Sequence, residues 1–518
     1  MTDLNIFKKI NNSNFFGIVI ISIFSLAVNQ YYGNFGVFPH DSFSHFETGS
    51  MILNGFHPFK DFWVVSGPFI DYLQALIFYL FGISWKTYVL HASLINIVIT
   101  IFTFIILRNL NLEFITSLFF SLCFAILAYP SSGTPFVDHH STFLSLMGVY
   151  FILLSIKKNT KSLNYFIPLF FILAFFSKQV PSSYFIISVI PIYIIHLVVN
   201  KKFNFIFSLF SGSIAVISVI LVFGLLNEIN LKSFMEQYFF YPQSIASNRF
   251  SNFKYLSFVG VIGNFKFILI SLLILIFAVA KSFKKNSFFK DKNVLISIIL
   301  VVSSLVLIFH QIATRNQIYI FFLIPLIIGI ANALFDEKIF RYFSIILCLV
   351  LTIKYHERFN EGRKFHELQN VNFDSAVDAK IIDVRLSGLK WVTPQYKQNP
   401  LKEVKIINEI KNYLKKDKRN KMVQGNYPFL SVVLDQNLFS TSRWHVLDGT
   451  DYPLPESSFF NSYKLLTKEI IRKNNIQVIY SISPVKPKNI YTLIDKECLK
   501  EIKINEVFFM YEIKKCKI

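Results

Sequence analysis

Two carboxylates pose the first chemical question in this sequence. Asp41 lies in GNFGVFPHDSFSHFETGSMILNGFHPFKDFWVVSG, soon after an apolar run. DSFSHFETGSMILN has the composition of a helix with Asp41 near its N-cap, and Asp41, His45 and Thr48 then share a face at spacings of four and seven. Asp138 opens another apolar run in AYPSSGTPFVDHHSTF and is followed by His139 and His140. A loop carboxylate beside a bundle is suited to taking a proton from a hydroxyl, so Asp41 and Asp138 are the candidate catalytic residues. Asp-His-His could instead ligate a divalent metal ion, with Asp41, Asp138 and His139 as candidate ligands, although neighbouring histidines on a helix point to different faces. For both acids the plain alternative is helix capping, which Ser or Asn would do equally well.

Cations come next. Lys178-Gln179 close an apolar run in AFFSKQVPSS, and Arg315 sits at a run boundary in HQIATRNQIY. Cations above a membrane cavity, facing carboxylates, suit a lipid phosphate next to a general base. Lys178, Gln179 and Arg315 are therefore candidate phosphate contacts, with His45, Glu47 and Asp61 of the first loop as further substrate contacts. His310, Arg249 and Lys254 are weaker candidates of the same kind. Simple snorkelling is the plain alternative for Lys178. No Gly-rich phosphate loop, zinc-ligand pattern or GxSxG motif occurs.

The elements that must position these residues follow from composition. The 518 residues are 53% hydrophobic and only 16% charged, with 61 Phe, which excludes an ordinary soluble enzyme and a disordered chain. Residues 355–518 hold 28 Lys/Arg and 19 Asp/Glu, against 24 and 12 in the longer stretch before them. The chain thus divides into a lipid-solvated module, 1–354, and a water-solvated domain, 355–518. The net charge of +21 follows short loops and the tail, so it marks topology and not a nucleic-acid face.

About 11 crossings are expected, near 15–32, 86–107, 112–128, 141–156, 163–177, 181–199, 204–226, 259–280, 293–310, 317–334 and 341–354. Residues 68–82 decide the topology. Kept out of the membrane as an interfacial amphipathic helix, they leave 15 Lys/Arg of residues 1–354 inside and 9 outside, the bias the positive-inside rule prefers. The N-terminus is then cytoplasmic, and the early acidic loops and the tail face outward from a bacterial inner membrane. In the tail, KMVQGNYPFLSVVL and NIQVIYSIS read as strands, and EVKIINEIKNYLKKDKRN as an amphipathic helix. KEIKINEVFFMYEIKK reads as a hairpin turning near Asn505-Glu506, which brings Cys498 and Cys516 within reach of a disulfide. The fold class expected is a polytopic α-helical membrane bundle with a C-terminal soluble α/β domain.

At these residues the sequence resembles the membrane glycosyltransferases of the GT-C fold that use polyprenyl-phosphate sugars, a group that includes protein O-mannosyltransferases and the lipid A aminoarabinose transferase. The stretch SMILNGFHPFKDFWVVSGPFIDYLQALIFYLFG is similar to one in the bacterial branch through Asn54-Gly55, Pro58, Asp61-Phe62, Pro68 and Phe81-Gly82. Asp138, Lys178-Gln179, and Arg315 with Tyr319 and Pro325 match later positions, and VQGNYPFLSVVLDQNLFSTSR resembles part of the periplasmic domain. The resemblance covers most of the chain through diffuse motifs. Two positions depart from it: Ser42 follows Asp41 where an acid is usual, and a lysine expected around Ser66 is missing.

The resemblance implies inverting transfer of a sugar from an undecaprenyl-phosphate carrier to a cell-envelope glycan, lipid or protein on the outer face. Asp41 would be the general base, Asp138 would orient the acceptor or a divalent ion, and Lys178 and Arg315 would hold the departing phosphate. A polysaccharide or lipid transporter is the main rival, although it should place charges at midplane and show inverted repeats. An O-antigen polymerase or ligase, or a non-catalytic scaffold, are the others.

Overall fold

Helices dominate the chain, as apolar segments with backbone groups to satisfy require. The computed structural model describes residues 12–250, 257–282, 291–314, 319–514 and 516. Among them nine helices are long and apolar enough to cross a membrane. They match nine of the expected crossings; the runs at 163–177 and 317–334 form shorter apolar helices, Lys161–Ser177 and Ile320–Leu334. Early elements are α1 (Asn12–Tyr32), α2 (Pro39–Leu53), α3 (Pro68–Phe81), α4 (Trp85–Asn109), α5 (Phe114–Leu127), α6 (Val137–Lys158), α7 (Phe166–Ser177) and α8 (Gln179–Val199).

The chain forms two compact units, each discontinuous in sequence. The first comprises residues 1–34, 89–221 and 252–370, and the second 35–88, 222–251 and 371–518. Sequence composition draws one boundary near 354, whereas residues 35–88 and 222–251 group with the tail.

In the first unit α6 is the central helix, buried along its whole apolar window. Gly148 lets α7 approach it: a Cβ there would meet the Phe171 ring at 2.8 Å. The loop 129–136 leading into α6 is held from several sides. Arg363 donates to the carbonyls of Pro130 (2.8 Å) and Ser132 (3.1 Å), and Asn29 donates to Gly133 O (3.3 Å). Gly133 takes φ +73° and packs so closely on Gly33 that a Cβ would lie 2.6 Å from its Cα.

The second unit is built on a five-stranded sheet. A short pair, β1 (Val377–Asp378) and β2 (Lys390–Trp391), precedes β3 (Lys421–Gln424), β4 (Leu438–Phe439), β5 (Val478–Ile482), β6 (Leu499–Lys503) and β7 (Phe508–Ile513). The sheet order is β4-β3-β5-β7-β6, parallel at β3/β4 and β3/β5 and antiparallel at β5/β7 and β6/β7. The expected hairpin is therefore β6–β7, and Cys498 and Cys516 are joined by a disulfide beside it. The expected strand over 421–434 ends at Gln424; Leu430–Leu434 is helical, with Val432 and Val433 buried.

The expected tail helix is Pro400–Lys416, with Pro400 in its first turn, Asn399 capping Lys402 N, and Lys415 and Lys416 in the last turn. It buries Val404, Ile407, Ile410 and Leu414. Buried Glu403 accepts from Trp391 Nε1 (2.9 Å), Thr393 Oγ1 (2.7 Å) and Tyr427 OH (2.9 Å), and burial raises its carboxyl above the usual range.

Backbone bonds tie residues 36–63 into this unit. Gly36 and Val37 donate to the carbonyls of Lys390 and Val392, and Trp63 N to Thr441 O at 2.9 Å. Phe43 of α2 packs on Phe429 (4.6 Å between ring centres), Trp85 (5.0 Å) and Trp391 (5.9 Å). Helix α3 buries Asp71 and Gln74 while Leu76, Tyr79, Leu80 and Phe81 are exposed, so its outward face is the apolar one.

Candidate functional site

Three groupings of ionisable side chains stand out, one in the first unit and two in the second. In the first, Asp138 occupies the second position of α6 with its side chain 1% exposed. It is not the N-cap, which is Phe136. Its Oδ2 accepts from Lys178 Nζ at 2.7 Å and its Oδ1 from His310 Nε2 at 2.8 Å. Lys178 is placed by the extended residue joining α7 to α8, and His310 by the helix Lys292–Thr314. Tyr319 OH donates to the Asp138 carbonyl (3.1 Å) and lies 2.9 Å from Thr142 Oγ1. The carboxylate thus has one cation on one oxygen and an imidazole on the other, the pairing a buried charge needs.

The histidines beside it face apart, as helix geometry requires. His139 Nε2 lies 2.9 Å from Ser131 Oγ, and its ring stacks on Tyr319 at 4.1 Å. His140 instead bridges Tyr129 OH (2.5 Å) and His91 Nε2 (2.9 Å). Asp41 belongs to the second unit, so the metal set of Asp41, Asp138 and His139 spans both units. Among the described residues no three of His, Cys, Asp and Glu cluster as a metal site would need. Gln179 begins α8, where its carbonyl accepts from Ser182 and Ser183. Arg315 and Lys254 lie outside the described residues, as does the side chain of Arg249.

The second unit holds a buried network that sequence reasoning missed. Asp71 of α3 is fully buried and accepts from three donors. His45 Nδ1 (2.7 Å) and Thr48 Oγ1 reach Oδ1, and Arg443 reaches Oδ2 at 2.5 Å. Burial, aided by Arg443, pushes the His45 imidazole below its usual range. A neutral His45 that donates through Nδ1 leaves Nε2 as an acceptor. The expected sharing of a face by His45 and Thr48 is thus realised, with Asp71 as its focus. Asp41 is in the first turn of α2, not at its cap, with its side chain 32% exposed and His40 Nε2 at 3.7 Å. Nearby in the fold Asp451 accepts from Ser442 Oγ and from Trp444 N (3.2 Å), and burial pushes its carboxyl up to about 7.

The third grouping surrounds a cavity of about 350 Å³ in the same unit. Glu47, on α2 two residues past His45, lines it and accepts from Ser431 Oγ at 2.8 Å. Burial pushes the Glu47 carboxyl up to about 8. Asp61 is on the same wall, but its oxygens cap His57 N (2.9 Å) and pair with Lys473 (3.0 Å). A second cavity of about 20 Å³ separates Glu47 from Arg443.

Asp71 had a visible signal, an acid and a Gln three residues apart on one side of an otherwise apolar helix. Arg443 had none, because its partner is 372 residues away. No known protein family matches this chain, and no curated protein matches it.

Proposed function

We propose that this protein is an inverting glycosyltransferase that moves a sugar from an undecaprenyl-phosphate carrier to an envelope acceptor on the outer face of a bacterial inner membrane. The observation that carries the reading is the state of five acids, Asp41, Glu47, Asp61, Asp71 and Asp138. Asp71, Asp138 and Asp61 are each bonded to a cation, from Arg443, Lys178 and Lys473 respectively, and Glu47 is buried with its proton held to about pH 8. Asp41 keeps a third of its side chain exposed in the first turn of α2, with His40 Nε2 at 3.7 Å. A general base must reach the hydroxyl it deprotonates, and Asp41 is the acid of this group suited to that.

In this reading Asp41 takes the proton of the acceptor hydroxyl as its oxygen attacks the anomeric carbon from the face opposite the phosphate. The bond from that carbon to the phosphate oxygen breaks, and its electron pair leaves with the polyprenyl phosphate. Lys178 has three ammonium donors, one of them given to Asp138, and the others are suited to the charge that develops on the leaving phosphate. No step requires a bound metal ion.

The test is sugar release from synthetic undecaprenyl-phosphate hexoses by purified protein in detergent. Turnover by wild type that falls about 100-fold or more in an Asp41→Asn variant of unchanged melting temperature is the expected result. An equally active variant would remove Asp41 from the mechanism. Absence of both donor turnover and donor-induced stabilisation would overturn the transferase reading in favour of a transporter or scaffold.

A further inference from the structure

The Glu47 cavity has the size of a small-molecule site, which typically begins at about 300 Å³. Its charges are largely satisfied from within the unit. Lys60 pairs with Glu228 at 2.7 Å, Lys473 with Asp61 at 3.0 Å, and Asp435 with Arg385 at 2.8 Å. Glu47 itself is 6% exposed, accepts from the Ser431 hydroxyl, and is pushed toward its neutral form by burial. An anion would therefore have to break an ion pair to reach Lys60 or Lys473, and a cation would meet, besides the paired Asp61 and Asp435 and the buried Glu47, the solvent-exposed Glu469, where an ion pair is worth little.

What the walls do offer is neutral. Ser50, Asn54 and Asn437 supply a hydroxyl and two amides, each able to donate and accept. The rings of Phe56 and Phe439, 5.8 Å apart and edge to face, supply apolar surface on the same cavity. Amides and a neutral carboxyl beside aromatic rings match a ligand with equatorial hydroxyls on its edge and C–H bonds on its face.

We propose that this cavity binds an uncharged saccharide unit. The choice of a sugar rests on the transferase reading, since an acceptor glycan would supply such a unit; the cavity and its lining do not rest on it. Glu47 donates its carboxyl proton to a sugar oxygen, and the two asparagine amides bracket neighbouring hydroxyls.

Saturation-transfer NMR on the full-length protein in detergent tests this with the methyl glycosides of glucose, mannose and galactose and with N-acetylglucosamine. Glucosamine and glucuronate serve as charged comparators. At least one uncharged sugar should bind, and Asn437→Leu, a change at an exposed rim position, should weaken it about tenfold, the equivalent of one hydrogen bond. Glu47→Gln, which keeps a neutral donor and acceptor, should retain binding, and Glu47→Leu should lose it. The proposal is overturned if none of the uncharged sugars binds, if a charged comparator binds more tightly, or if Asn437→Leu leaves binding unchanged. Donor turnover and donor-induced stabilisation measured on the same samples judge the transferase reading separately: sugar binding with neither of them sinks that reading alone, and turnover without sugar binding sinks this one alone.

Discussion

Arg443 and Asp71 stand 2.5 Å apart although 372 residues separate them in the chain. Both side chains are essentially buried, at 1% and 0% exposure. One comes from the loop after β4 and the other from the first turn of α3, so their ion pair fastens the segment 35–88 to the tail within one unit. Removing one partner strands the other charge away from water, at a cost of about 3–5 kcal/mol. Arg443→Met and Asp71→Leu should each lower the melting temperature sharply, while the double variant should recover much of the loss. Additive losses in this double-mutant cycle would show that the pair is not coupled.

The acidic side of neutrality should favour the second unit, and the sign follows from Glu47. Its folded carboxyl keeps its proton to about pH 8, against an ordinary value of 4.5, so between those limits the folded chain binds the extra proton. Stability contributed by the protonated group is therefore lost as pH rises, at up to about 1.4 kcal/mol per unit. Asp451 acts alike but only to about pH 7. His45, His57 and His445, all depressed by burial, act in the opposite sense, and only below the ordinary imidazole value of 6.5. Facing Glu47 are Ser431 by its bond, Arg443 and Tyr427 across the small cavity, and Lys60, Asp61, Asp435, Glu469 and Lys473 around the large one. Groups of these types do not ordinarily titrate between pH 7 and 8. Wild type should thus melt lower at pH 8 than at pH 7, and Glu47→Gln should flatten that slope; a slope that survives the substitution assigns it elsewhere.

How much of this was legible in the sequence depends on the range over which each feature is encoded. Helix Pro400–Lys416 was readable because its cap, its first-turn proline, its apolar spacing and its terminal lysines are all local. The β6–β7 hairpin was readable for the same reason. The KMVQGNYPFLSVVL segment misled because Val432 and Val433 suit a strand by propensity, whereas packing against helix Pro400–Lys416 and α2 selects a helical turn. Asp41, Asp138 and Lys178 could be singled out as charges at the ends of apolar runs, but not the partners that engage Asp138 and Lys178. Lys178 was expected to hold phosphate and also pairs with Asp138, a fact set by how α6 and α7 pack. Asp71 was visible, yet an amphipathic reading of residues 68–82 places it toward water when it is in fact buried.

The Cys498–Cys516 disulfide closes a segment with a sequence separation of 18. By loop-closure entropy such a crosslink contributes about 3 kcal/mol. Reduction should lower the unfolding temperature of the second unit, and Cys498→Ser should do the same without reductant. Thiol counting on the denatured protein checks the premise: two thiols before reduction, from Cys123 and Cys348, and four after it. Four thiols from freshly isolated protein would mean that the chain folds in a reducing compartment, contrary to an outward-facing tail.

Lys178 has two roles to separate, because it both neutralises Asp138 and is assigned to the leaving phosphate. Lys178→Met leaves Asp138 buried with His310 as its remaining side-chain partner, and Asp138→Asn leaves Lys178 without its carboxylate. Each should destabilise by about 3 kcal/mol, the low end for a broken buried pair because Lys178 keeps 19% of its side chain exposed. The double variant removes both charges together and should melt closer to wild type. That recovered stability makes it the informative enzyme. A charge-assisted hydrogen bond to the departing phosphate is worth about 1.5–3 kcal/mol, so a stable double variant should turn over donor roughly 10- to 100-fold more slowly than wild type. Undiminished turnover in a double variant that folds normally would confine Lys178 to holding Asp138 in place and would leave the phosphate to another cation.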